Sequence, residues 1–324
     1  MNWSIHVTRR IPQAGLTILE KAGAAVDVSP HDRSLTREEL LAGVRGRDGV
    51  LCLLTDTIDE TVMAAAGPRC RVLANYAVGF NNIDVAAATR RRILVTNTPG
   101  VLTEATADLT WAALFAIARR VAEGDRLVRA GRWDGWGPMQ LLGQDVHGAT
   151  LGIVGAGRIG AAVALRSIGF RMRVLYADGE QKPELERIGA RRVPIEELLR
   201  ESDFVSLHVP LDATTRHLID ARALARMKPT ACLINTARGP IVDEAALVEA
   251  LRERRIAGAA LDVYEHEPEL TPGLTSLDNV VCIPHLGSAT QATRNRMAVM
   301  AAENLVAALR GERPPNLVNP EALG

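Results

Sequence analysis

No uninterrupted apolar run in the 324-residue sequence reaches the roughly 18 residues that a membrane-spanning helix requires. The opening stretch MNWSIHVTRRIP also lacks the apolar core of about 7 to 15 residues that marks a secretory leader, so a cytoplasmic location is expected. There is no net charge either: Lys and Arg number 38 against 38 Asp and Glu, which excludes a global field that would recruit nucleic acid or an anionic membrane. Any anion site must therefore be local. The four cysteines, Cys52, Cys70, Cys232 and Cys282, form no CxxC pair, there is no HExxH, and the histidines are isolated, so no metal site is expected. Three of those cysteines lie in apolar runs such as VLCLLT and ACLIN, and buried reduced thiols are the expectation. Internal repeats, low-complexity tracts and extended disordered tails are likewise missing.

What is present is ordinary globular material, 47% hydrophobic and 23% charged, at a length that suits two domains. Over the first hundred residues, short apolar runs (SIHVT, AAVDVS, GVLCLLT, RVLANY) alternate with helical patterns at 12–22, 36–44 and 60–66. That alternation predicts β/α units on a parallel sheet. In LTREELL, Thr36 and Glu39 have the spacing of a capping box. A long apolar-rich helical pattern runs from Thr103 to about Val121, introduced by the turn signal NTPG. The following RAGRWDGWGPMQLLGQDVHG, with five glycines, a proline and two tryptophans, predicts an arm or long loop. Six further strand-length runs follow (ATLGIVG, MRVLYA, DFVSLHV, ACLINTA, AGAALDV and NVVCIP), enough for a doubly wound sheet. A second long helical pattern, QATRNRMAVMAAENLVAALRG, precedes a proline-rich tail.

Gly155, Gly157 and Gly160 form GxGxxG directly after the strand ATLGIV and before a helical pattern. In that setting the first glycine permits the tight turn, the second lets a pyrophosphate approach the backbone, and the third lets helix and strand pack closely. The free N–H groups of the helix start then meet the phosphates. Asp178 closes MRVLYAD 18 residues after Gly160, where a carboxylate would bind the adenosine ribose hydroxyls and repel a 2′-phosphate. NAD is thereby favoured over NADP. Nearby Lys182 works against that discrimination, and NADP stays open.

Later strands end in polar groups. Arg238 follows ACLINTA, placed to grip a carboxylate through two hydrogen bonds; Asp262 and Glu267 follow AGAALDV, and His285 follows NVVCIP. A histidine beside a carboxylate is the natural proton donor near neutral pH. Singly, each has a structural explanation: a surface ion pair for Arg238, a solvated acidic cluster EHEPE for Glu267, a packed ring for a lone histidine. His6, His31, His147, His208, His217 and His266 are assigned that structural role.

The segments VTRRIP, LLTD, NYAVGFNNIDVAAATRR, VTNTPGVLTEATAD, VGAGRIG, LHVPL, NTARGPIVDEAAL, LDVYEHEP and PHLGSAT, in fixed order over nearly the whole chain, resemble the D-isomer-specific 2-hydroxyacid dehydrogenases, most of all their glyoxylate/hydroxypyruvate reductases. The resemblance implies an α/β fold of two Rossmann/flavodoxin-like domains with parallel sheets. An NAD-binding domain at 99–286 is inserted into a discontinuous substrate-binding domain of 1–98 plus 287–324, the two forming a cleft that closes over the keto acid. It implies a catalytic set in which His285 protonates the carbonyl oxygen as NADH delivers hydride, Glu267 keeps the imidazole charged and Arg238 binds the keto acid. Backbone N–H groups of Val78 and Gly79 would meet the substrate carboxylate. Cofactor contacts fall on Thr106, Gly155, Gly157, Arg158, Ile159, Gly160, Asp178, Val209, Pro210, Thr236, Ala237, Arg238, Asp262, His285 and Gly287. The reaction implied is reduction of glyoxylate or hydroxypyruvate to glycolate or D-glycerate.

In similar reductases the arm clasps a second subunit, which implies a homodimer through about 125–147, with Trp136, beside Trp133, a candidate to reach the partner's substrate pocket. Phe80 stands where a tyrosine is common in the family. Two other functions remain open at this point: another D-2-hydroxyacid dehydrogenase such as a phosphoglycerate dehydrogenase, and a non-catalytic, NAD-sensing corepressor-like protein.

Overall fold

The computed structural model describes residues 3–323; Met1, Asn2 and Gly324, at the outer ends of the expected substrate-binding domain, lie outside the described residues. The chain divides into two units, Met1–Leu102 with Ser288–Gly324 and Thr103–Gly287.

The first unit comprises β1 (Ser4–Val7), α1 (Gln13–Lys21), β2 (Ala25–Val28), α2 (Arg37–Val44), β3 (Gly49–Cys52), α3 (Glu60–Ala66), β4 (Val72–Asn75), α4 (Val85–Arg90) and β5 (Leu94–Thr96). Its strands form one parallel sheet in the order β2-β1-β3-β4-β5, the flavodoxin-like arrangement. β3 and β4 are buried at every residue, as expected of strands covered on both faces. The capping box at Thr36 is present: its hydroxyl accepts from Glu39 N (3.3 Å) and the Glu39 carboxylate accepts from Thr36 N (2.8 Å).

The second unit comprises α5 (Thr103–Ala118), α6 (Val121–Arg129), β6 (Thr150–Val154), α7 (Arg158–Arg166), β7 (Arg173–Ala177), α8 (Pro183–Glu186), β8 (Arg191–Arg192), α9 (Ile195–Glu201), β9 (Phe204–Leu207), α10 (Ala221–Arg226), β10 (Cys232–Asn235), α11 (Glu244–Arg252), β11 (Gly258–Leu261) and β12 (Val280–Cys282). A last helix, α12 (Gln291–Arg310), returns to the first unit and packs on α1, β3 and β4. The second sheet is parallel throughout, in the order β12-β11-β10-β9-β6-β7-β8, a Rossmann order with an added edge strand. Alternate side chains supply two cores: Leu151, Ile153, Phe204 and Ile234 face one layer, Val154, Val205, Leu207 and Leu233 the other. The order reverses between β6 and β9, so the crevice at their C-terminal ends is the expected ligand position of such a sheet.

Three expectations need correction. The long helix stops at Ala118, and Arg120, in a left-handed conformation at φ 53°, opens the separate helix α6, so the first part of the arm is helical. α6 buries no residue, its apolar Val121 and Val128 being exposed, and it carries the charge pairs Arg120 to Glu123 and Arg129 to Asp125 at 2.8 Å each. The second sheet has seven strands instead of six, because the two-residue edge strand β8 is the exposed pair Arg191–Arg192. Cys282 is exposed on the edge strand β12, whereas Cys52, Cys70 and Cys232 are buried; all four are free thiols.

Candidate active site

The glycine turn lies at the β6/β9 reversal. Gly155 has φ 88°, and a Cβ there would lie 2.7 Å from Val209 Cγ1 and 2.8 Å from the His208 carbonyl carbon. A Cβ on Gly160 would come within 2.1 Å of Gly155 O. Both glycines are thus demanded by the protein's own packing. Gly157 differs: a Cβ there would meet nothing within 4 Å, so packing does not require it. What remains is the space it leaves above the first turn of α7, where the N–H groups of Arg158, Ile159 and Gly160 have no intrahelical acceptor. That open cradle at a helix start fits a pyrophosphate.

Asp178, just past β7, accepts hydrogen bonds from Ala156 N (2.7 Å) and Glu180 N (3.0 Å), with Lys182 Nζ at 3.5 Å. Burial opposes its ionisation, but these bonds and the lysine outweigh it and hold the carboxyl below its usual range. The group is therefore an anion tied to the glycine turn itself. Val209 packs on Gly155, and the carbonyl of Pro210 accepts from Thr215 Oγ1 at 2.6 Å. His208 is kept neutral, burial lowering it to about 3, and its ring meets Ser206 Oγ at 2.8 Å.

At the ends of β10, β11 and β12 the structure brings Arg238, Asp262, Glu267 and His285 together. His285 Nδ1 lies 2.9 Å from Glu267 Oε2. Glu267 Oε1 accepts from Tyr264 N at 2.9 Å. Burial disfavours the Glu267 anion, yet the His285 bond, the Tyr264 N–H and the charge of Arg238 together keep its carboxyl below the ordinary range. The half-buried Arg238 donates through Nη1 to Ala237 O at 2.7 Å. Burial lowers its pKa, while Glu267 acts the other way.

The loops carrying these groups are braced from beneath. His285 has φ 54°, an uncommon backbone state for a residue other than glycine. The carboxylate of Asp262, 1% exposed, holds the next two residues, accepting from Leu286 N (2.6 Å) and Gly287 N (2.8 Å). Burial raises the Asp262 pKa, and the two N–H bonds oppose that rise. Thr106 Oγ1 donates to Gly287 O (3.0 Å), and Thr110 links Thr106 O to Thr236 Oγ1, each at 2.8 Å. A Cβ on Gly239 would lie 1.9 Å from the Tyr264 carbonyl, so the Arg238 turn rests directly on the start of the Glu267 loop.

Sequence reasoning passed over Asn235, whose side chain donates to Arg238 O (2.9 Å) and accepts from Ala237 N (3.0 Å). The available signal was a polar residue ending an otherwise apolar buried strand, CLIN. In the other unit Asn75 ends VLAN in the same way: it donates to Gly79 O (2.9 Å), while Asn97 donates to Val78 O (2.7 Å). With both carbonyls fixed, the Val78 and Gly79 N–H groups have no acceptor among the described residues.

A parallel α/β unit with a dinucleotide turn, an acid–histidine pair and an arginine at its strand ends defines a nicotinamide-dependent dehydrogenase. The profile of the D-isomer specific 2-hydroxyacid dehydrogenase NAD binding domain matches residues 111–287, and the chain belongs to that family. It is 53% identical over 323 residues to a glyoxylate reductase of Korarchaeum cryptofilum, covering 98% of this chain and 96% of that protein. A glyoxylate reductase of Thermococcus onnurineus is 50% identical over 328 residues, covering 100% and 98%. Among solved structures, the TT0316 protein of Thermus thermophilus superimposes with a TM-score of 0.91 at 48% identity, covering 97% of this chain and 99% of that one. An NADPH-dependent glyoxylate/hydroxypyruvate reductase of Sinorhizobium meliloti, in complex with NADP and malonate, gives 0.86 at 32% identity, covering 99% and 98%. The protein is thus an oxidoreductase with an NAD(P)-binding Rossmann-type domain. No helix among the described residues is long and apolar enough to cross a membrane.

Proposed function

We propose that this chain reduces a small 2-keto acid, glyoxylate or hydroxypyruvate, to the 2-hydroxy acid, glycolate or D-glycerate, with NADH. The observation that carries the reading is the 2.9 Å pair of His285 Nδ1 and Glu267 Oε2 beside Arg238. Similarity to glyoxylate reductases over the full chain supports the choice of substrate. In this reading the Thr103–Gly287 unit binds the cofactor and carries Arg238, Glu267 and His285.

Because Nδ1 is engaged by the carboxylate, Nε2 is the nitrogen from which His285 gives a proton to the carbonyl oxygen. The Nδ1 bond to Glu267 fixes the orientation of the ring for this step. Arg238 binds the keto acid through its planar guanidinium and draws charge toward the oxygen that receives the proton. Val78 and Gly79, in the first unit, have free N–H groups able to donate to a carboxylate. When bound, the nicotinamide supplies a hydride to the carbonyl carbon, so keto acid, NADH and one proton become hydroxy acid and NAD. Chiral analysis of the product from hydroxypyruvate tests the assignment: D-glycerate is expected, and L-glycerate would contradict it.

NADH is proposed as the preferred reductant because the ionised Asp178 would face a 2′-phosphate. Asp178→Ser is expected to raise kcat/KM with NADPH relative to NADH by about tenfold, roughly 1.4 kcal/mol of relieved repulsion. A wild-type enzyme already preferring NADPH would overturn this assignment.

Trp136 is 84% exposed, Met139 77%, Leu142 57% and Trp133 55%, an apolar surface suited to a second copy of the chain. We assign the homodimer contact to this arm. Replacing Trp133, Trp136 and Met139 together by serine should halve the mass measured by sedimentation equilibrium; an unchanged mass would place the contact elsewhere.

A further inference from the structure

Glu244 opens α11 and is 1% exposed. Its carboxylate makes no ion pair among the described residues. Capping does not require it, since Asp243 is the N-cap and accepts from Ala246 N at 3.0 Å. A carboxyl buried this deeply is retained at a cost unless its oxygens are bonded. Here both are spent on the loop that carries Glu267. Oε1 accepts from Glu265 N at 2.8 Å, and Oε2 accepts from the Thr271 hydroxyl at 2.6 Å.

These contacts flank Glu267, two residues before it and four after it. Between them the loop closes on itself through Glu269 N to His266 O at 2.9 Å. On the outer side, Glu265 Oε1 meets His217 Nε2 at 2.6 Å and Arg216 Nη2 at 3.2 Å. Glu265 is thus gripped from two directions, its backbone by Glu244 and its side chain by His217. Tyr264, whose N–H bonds Glu267, is the next residue back and rests on Gly239.

We infer that Glu244 is a positioning residue for the reaction: its buried carboxylate clamps both limbs of the 264–271 loop and thereby fixes Glu267 against His285. The inference rests on the roles proposed above for that pair. It does for Glu267 what Asp262 does for the loop after His285, so each half of the acid–histidine pair has its own buried carboxylate beneath it. A displacement of about 1 Å at such a pair is enough to cost on the order of 100-fold in rate.

The test combines hydrogen exchange, followed by mass spectrometry on the 264–271 segment, with steady-state kinetics. In Glu244→Ala, exchange of that segment should quicken by about tenfold or more, reflecting local opening. Its kcat should fall by about 10- to 100-fold with the KM for NADH within about twofold of wild type. Glu244→Gln should restore both, because its amide oxygen still accepts from Glu265 N and its amide nitrogen can donate to Thr271 Oγ1. Thr271→Val removes one contact without emptying the interior, should show the same changes at smaller amplitude, and decides the matter if Glu244→Ala does not fold. Unchanged exchange in Thr271→Val and Glu244→Ala, or a glutamine variant as impaired as the alanine one, would overturn the inference. Should the wild-type protein reduce no 2-keto acid, the functional reading fails, while exchange still reports on the clamp.

Discussion

His285→Ala is expected to lower kcat by about 100-fold or more while leaving NADH binding within about threefold, because a positioned general acid contributes 10²- to 10⁴-fold. The loss corresponds to roughly 2.7 kcal/mol or more of transition-state stabilisation. The left-handed backbone at this position adds a complication, since alanine is strained at φ 54°. Asparagine tolerates that conformation and has no titrating proton to give, so His285→Asn should show the same kinetic loss with native stability. Near-normal turnover in either variant would remove His285 from the mechanism. The pH response follows from Glu267, whose carboxyl sits below its usual range. The stability that this anion draws from its hydrogen bonds is present above the ordinary carboxylate range and is lost as the pH falls through the lowered value.

Arg238→Lys should be the second severe lesion, costing about 10- to 100-fold in kcat/KM for the keto acid. A charged hydrogen bond is worth roughly 1.5–3 kcal/mol, and an ammonium cannot reproduce the two parallel N–H groups of a guanidinium. The turn around Arg238 is fixed by Asn235 and by Gly239 against the Tyr264 carbonyl, so the backbone will not shift to bring a shorter head group into place. A kcat/KM within twofold of wild type would make the arginine a structural element of its loop.

Much of this arrangement was legible in the sequence because it follows from local rules. The parallel sheets were announced by apolar strand-length runs, and the Thr36 box by residue type and spacing. The glycine turn was read from its place between a strand and a helix, and the structure separates its members: packing requires Gly155 and Gly160, whereas Gly157 faces open space. What escaped was set by charge pairing or by distant contacts. α6 buries no residue and leaves its apolar side chains Val121 and Val128 exposed, and β8 is two exposed arginines with no hydrophobic period. Cys282 lies in an apolar run yet faces outward because its strand is at the sheet's edge. Asn235 and Glu244 were invisible as site residues, since Asn235 bonds only backbone atoms of its own turn and the partners of Glu244, Glu265 N and the Thr271 hydroxyl, are more than 20 residues away.

The central claim is that the Arg238, Glu267 and His285 constellation reduces a small 2-keto acid with NADH. The most direct measurement is the rate of NADH and NADPH oxidation by the wild-type protein with glyoxylate, hydroxypyruvate and 3-phosphohydroxypyruvate. Turnover of glyoxylate or hydroxypyruvate, faster with NADH, is the expected result. Failure to oxidise either reduced cofactor with any of the three acids would contradict it.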